Sequence, residues 1–94
     1  MMTSIKSLIE TRLATEFAPD RLAVIDESAA HAGHAGHRAG GESHFRVRIV
    51  AQAFAGVGRV DRHRRINAAL KEAFDRGLHA LAIEAAAPGE ATRW

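Results

Sequence analysis

Ninety-four residues, 47% of them hydrophobic, are enough to close one core and too few for two. Thirteen Lys and Arg against eleven Asp and Glu leave a formal net charge of +2 without a long basic run, which permits contact with nucleic acid but does not argue for it, because phosphate binding gathers several cations on one face. Cysteine is absent, which excludes disulfides and any thiolate metal site made by this chain alone, and neither a secretory signal pattern nor an apolar run long enough to span a bilayer is present, so the expectation is a soluble cytoplasmic protein without membrane association.

Thr3 or Ser4 can cap a first helix in which Ile5, Leu8, Ile9, Leu13 and Phe17 recur at three- and four-residue spacings, with Lys6, Glu10, Thr11 and Arg12 largely on the other side. Pro19 and Asp20 end it, and Arg21 to Asp26 reads as a short apolar strand. From Ser43 to Val50 the residues alternate, Phe45, Val47 and Ile49 on one face and His44, Arg46 and Arg48 on the other, as in a half-buried strand. The two strands are antiparallel if the 27–41 loop between them acts as a long hairpin connection.

Phe54 to Gly58 turns the chain with two glycines. Asp61 can then cap a second helix with Ile66, Ala69, Leu70, Ala73 and Phe74 inward, and Gly77 stands where a helix C-terminus favours a left-handed residue. Leu78 to Ala85 reads as the last strand, and the passage from the second strand through this helix favours a right-handed crossover to a parallel neighbour. The expected architecture is a small α/β (α+β) domain of order α-β-β-α-β, a three-stranded mixed sheet with helices on one face, filling residues 1–87. Residues 88–94 are expected to form a flexible tail.

Function is most legible in the histidines. His31, His34 and His37 recur every third residue in an Ala/Gly-rich segment, where a pliable backbone lets imidazoles approach one ion. The alternatives are a hydrated loop, adventitious zinc or nickel binding, or buffering of those metals by the loop itself. His79, at the start of an apolar strand, either satisfies both ring nitrogens by hydrogen bonds or offers one to a ligand. His44 reads as structural, its ring placed to tie the loop to the sheet, and His63, between Arg62 and Arg64, suits a solvated or phosphate-facing role.

No catalytic constellation emerges. Ser28 and Ser43 stand beside acids but in no Gly-x-Ser-x-Gly elbow, and the adjacent carboxylates Asp26 and Glu27 point to opposite faces of a strand end. A non-enzymatic role is therefore expected.

Four blocks, Asp26-Glu27-Ser28, Gly41-Glu42-Ser43-His44-Phe45-Arg46-Val47, Arg62-His63-Arg64 and Leu78-His79-Ala80-Leu81-Ala82-Ile83, occur in an order that resembles the BolA-like family. The resemblance implies a fold similar to the class II KH arrangement and partnership with a monothiol glutaredoxin. The two proteins would share a [2Fe-2S] cluster, glutaredoxin and glutathione supplying thiolate and the BolA-like chain supplying imidazole. Histidine in place of thiolate on one iron raises the cluster potential, as in Rieske centres.

Carried over, the C-terminal ligand falls on His79, and the family's loop ligand falls on His31, with His34 and His37 as second and third choices. The resemblance also implies, as the alternative, a DNA-binding transcriptional regulator of morphology and stress genes. That reading would use Arg59, Arg62, His63, Arg64 and Arg65, with Arg46 and Arg48 on the neighbouring strand. A KH module clamps the nucleic-acid backbone with Gly-x-x-Gly between helices, whereas here Gly33-His34-Ala35-Gly36 lies in the strand connection. The free protein is expected to be a monomer or weak dimer.

Overall fold

The computed structural model describes residues 4–28, 43–92 and 94. Helix α1 spans Ile5–Phe17. Ser4 is its N-cap, the hydroxyl accepting the Ser7 N–H at 3.0 Å and so satisfying one of the first-turn donors that have no partner inside the helix. Ala18 closes it in the left-handed region, φ 44°, with its N–H bonded to the Ala14 carbonyl. Ile5, Leu8, Ile9, Leu13 and Phe17 are buried along one side of the helix, as their spacing predicts.

Strand β1 (Arg21–Asp26) pairs antiparallel with β2 (His44–Val50), and β2 pairs parallel with β3 (Ala80–Ala86), giving the order β1-β2-β3. The mixed sheet expected from sequence is thus formed. Phe45, Val47 and Ile49 of the central strand are buried against α1 and the C-terminal helices, together with Val24, Phe54, Ile66, Leu70, Ala73 and Leu78. Phe17 and Phe54 meet with ring centroids 5.0 Å apart, which joins the end of α1 to the 3-10 turn Gln52–Phe54 that follows β2.

The second helical segment departs from expectation in two places. It begins as α2 at Arg59, with Gly58 as an N-cap that has no side-chain bond, so Asp61 lies in the first turn instead of capping it. There its carboxylate favours the positive end of the helix dipole. At Leu70, φ −103° and ψ 17°, the helix breaks, and α3 (Lys71–Asp75) follows. The Leu70 side chain is fully buried, and its N–H is shared between the Ile66 and Asn67 carbonyls.

Gly77, φ 120°, then ends α3 as predicted. The Gly77 N–H bonds to Phe74 and the Leu78 N–H to Ala73, the pair of bonds that defines a Schellman close. This consumes Leu78, so β3 starts at Ala80 and His79 sits in the turn before the strand.

The sheet face away from the helices carries a network of ion pairs. Arg46 donates to Glu27 at 2.9 Å and to Glu84 at 3.3 Å, and Arg48 donates to Glu84 at 2.9 Å. The Arg48 hydrogen bond foremost, then Arg46, holds the Glu84 carboxyl below its ordinary range, and Glu27 with Glu84 raises the Arg46 guanidinium. Among the described residues no helix is long and apolar enough to cross a membrane.

Candidate metal centre

The parallel register sets His44, the first residue of β2, beside Ala80, the first of β3. His79 therefore arrives next to His44, and the two rings lie 5.3 Å apart between centroids with planes tilted by 52°. His79 is exposed and His44 half-buried. The backbone fixes the turn: the Ser43 carbonyl accepts the N–H of His79 at 2.8 Å and of Ala80 at 3.1 Å. Among the described residues no hydrogen bond engages the exposed His79 ring.

The structural reading of His44 agrees with its contacts. Its Nδ1 lies 2.9 Å from the Ser43 hydroxyl, and its carbonyl accepts the Glu27 N–H at 2.8 Å. A shallow cleft of about 220 Å³ opens beside it, between Glu27 and Ala80 to Ala82.

The loop histidines His31, His34 and His37, and with them the Gly33–Gly36 spacing, lie outside the described residues. Among the described residues no group of three or more His, Cys, Asp or Glu gathers for a metal. Of the adjacent carboxylates, Asp26 accepts the Ser28 N–H at 2.8 Å and Glu27 pairs with Arg46.

The arginines singled out from sequence separate into two kinds. Arg62 turns inward, donating to the Val57 carbonyl at 2.7 Å, the Ala85 carbonyl at 3.2 Å and both oxygens of Glu90 at 2.6 and 2.7 Å. With 12% of its side chain exposed, it fastens the C-terminal segment. Glu90 also accepts the Ala87 N–H, and these bonds, Arg62 first, lower its carboxyl to about 2. Nothing in the sequence linked Glu90 to Arg62, because the pair is 28 positions apart and belongs to no shared periodicity.

Arg59, Arg64 and Arg65 are exposed, Arg64 lying 3.6 Å from Asp61. His63 is half-buried and lines, with Arg59, Thr92 and Trp94, a cavity of about 430 Å³ at the far end of β3 from His79. The Arg21 guanidinium stands 4.8 Å from the Trp94 ring, a cation–π contact between β1 and the tail.

Residues 13–90 match the family described as BolA-like protein. The chain belongs to the BolA-like family. A protein of Sinorhizobium sp, "Uncharacterized protein in cobS 5'region", is 59% identical over 97% of this chain and 99% of its own length. The "DNA-binding transcriptional regulator BolA" of Vibrio cholerae is 43% identical over 84% of this chain and 71% of its own. This chain spans 54% of the length of the chloroplastic BOLA1 protein of Arabidopsis thaliana, at 43% identity. Among solved structures, the BolA domain of SufE1 from Arabidopsis thaliana superposes with a TM-score of 0.83 and 42% identity, covering 97% of this chain and 100% of that one. The fold of this BolA-like chain is therefore the one solved for BolA domains.

Proposed function

We propose that this BolA-like chain is a non-enzymatic adaptor that binds a monothiol glutaredoxin and shares with it, and with glutathione, a bridging [2Fe-2S] cluster in cytoplasmic iron-sulfur trafficking or iron sensing. The observation that carries the reading is His79: an exposed imidazole, held by backbone bonds at the edge of the sheet, in a chain with no thiol of its own. The donor set fits the cluster. An imidazole presented outward suits one iron whose other ligands come from a partner, and histidine ligation is used at [2Fe-2S] centres. His79 would be one nitrogen donor and His31, His34 or His37, in that order, the second. When bound, the cluster supplies one-electron chemistry at a potential raised by nitrogen ligation.

The test is to mix the protein with a cluster-loaded monothiol glutaredoxin and record visible absorption and circular dichroism. New bands are expected with the native chain and not with His79→Ala. A spectrum identical for the two proteins ends the ligand assignment, and no spectral change with either ends the adaptor reading.

A second reading, duplex DNA binding by a transcriptional regulator, is favoured by the name of the Vibrio cholerae relative and by the exposed Arg59, Arg64 and Arg65 of α2. Arg62 would serve that surface only indirectly, by holding the fold. Failure to retain any duplex at low salt removes this reading.

A further inference from the structure

The histidine-rich segment is bracketed by two buried serines, Ser28 at 2% exposed and Ser43 at 1%. A hydroxyl buried in a small core is costly unless bonded, and here it is bonded across the chain. Ser28 Oγ accepts the backbone N–H of Ser43 at 2.9 Å and of His44 at 3.2 Å, closing a span of fifteen positions onto the start of β2. Ser28 is itself fixed from the other side, its N–H donated to Asp26 Oδ1.

The same few atoms hold the second histidine. The Ser43 carbonyl receives the N–H groups of His79 and Ala80, the Ser43 hydroxyl lies against His44 Nδ1, and the His44 ring rests on that of His79. One connected set of bonds thus joins both ends of the 29–42 segment to the turn that carries residue 79.

We propose that Ser28 and His44 are positioning residues for the shared cluster. Ser28 locks the two ends of the histidine-rich segment to the His79 turn, and His44, oriented by the Ser43 hydroxyl, sets the tilt of the His79 imidazole. The proposal rests on the adaptor reading and specifies how its site is held. Donors that arrive from segments far apart in the chain serve one iron well only if their anchors are fixed first, since loop closure costs entropy and ligand orientation is set by the groups behind the ligand. Removing the Ser28 hydroxyl takes away the acceptor that the Ser43 and His44 N–H groups share. Replacing His44 by Phe keeps a flat ring beside His79 but deletes the nitrogen that meets Ser43.

Ser28→Ala and His44→Phe test this, with far-UV circular dichroism as the check of folding. In the free protein, proton cross-relaxation between the rings of residues 44 and 79 is expected in the native chain and lost in Ser28→Ala. With cluster-loaded glutaredoxin, the visible circular dichroism of the mixed cluster is expected to change in both variants. Resistance of the mixed cluster to a chelator should fall about 10–100-fold, while the affinity for cluster-free glutaredoxin stays as in the native chain.

Ring contact retained in Ser28→Ala, or chelator resistance unchanged in both variants, overturns the proposal. A native chain that forms no mixed cluster at all defeats the adaptor reading. In that case the ring contact in the free protein still decides whether Ser28 orients the pair.

Discussion

Two places in the molecule hold residues that sequence nominates for binding, and they treat them in opposite ways. At the start of β3 backbone bonds to the Ser43 carbonyl fasten the His79 turn, and the ring, exposed and beside that of His44, makes no hydrogen bond among the described residues. At the start of α2 the side chain does the fastening: Arg62 spends its guanidinium on two carbonyls and a carboxylate. A charged residue with five donors in a fixed fork is readily absorbed by the fold. An imidazole is available for a ligand when main-chain bonds, not its own nitrogens, fix its position.

The contrast breaks first on Arg62. Arg62→Ala removes hydrogen bonds from a charged donor and strands the Val57 and Ala85 carbonyls, so it is expected to cost about 1–3 kcal/mol, seen as a lower urea midpoint with unchanged slope. A loss within error would mean that the arginine is not structural. It would then be open to phosphate after all.

Glu90 sharpens the same point through pH. Its carboxyl is lowered from 4.5 to about 2 by Arg62, so its contribution to stability is full above the ordinary carboxylate range and is lost as pH falls through the native value. Glu90→Gln should therefore destabilise the protein near neutrality and leave it less sensitive to acid between about pH 5 and pH 2. Trp94, the sole tryptophan, reports the tail directly by fluorescence. Parallel acid curves for the two proteins would show that Glu90 is not held in this way.

The smallest effects on stability are expected where side chains face outward. His79→Ala, and separately the triple change of Arg59, Arg64 and Arg65 to Ala, should each shift stability by no more than about 0.5 kcal/mol per residue replaced. If this chain retains duplex DNA, the triple variant should also lose salt dependence, by about 0.9 in the log–log slope for each phosphate contact removed. A large destabilisation by His79→Ala would mean that the ring is part of the fold and not a presented ligand.

Much of this was legible from the residues alone, for identifiable reasons. The periodicities of Ile5 to Phe17 and Phe45 to Ile49 each have one buried face, so helix and strand follow from spacing. The crossover rule then supplied the parallel partner of β2. Helix boundaries were less legible. Gly58 starts α2 with no side-chain signal, and the break at Leu70, a fully buried leucine, is announced by no local pattern.

At the site, His79 and His44 were each visible as residues, but their contact appears only once the register pairs His44 with Ala80. The roles of Ser28 and Glu90 depend on partners fifteen and twenty-eight positions away, respectively, and such pairings are properties of the folded chain.

The most direct measurement is pulsed electron paramagnetic resonance on the reduced mixed cluster, with this chain alone labelled with nitrogen-15 in histidine. The account predicts a nitrogen-15 coupling of directly bound imidazole in the native complex, diminished in His79→Ala. A cluster bridging the two proteins with no nitrogen coupling from this chain would contradict it.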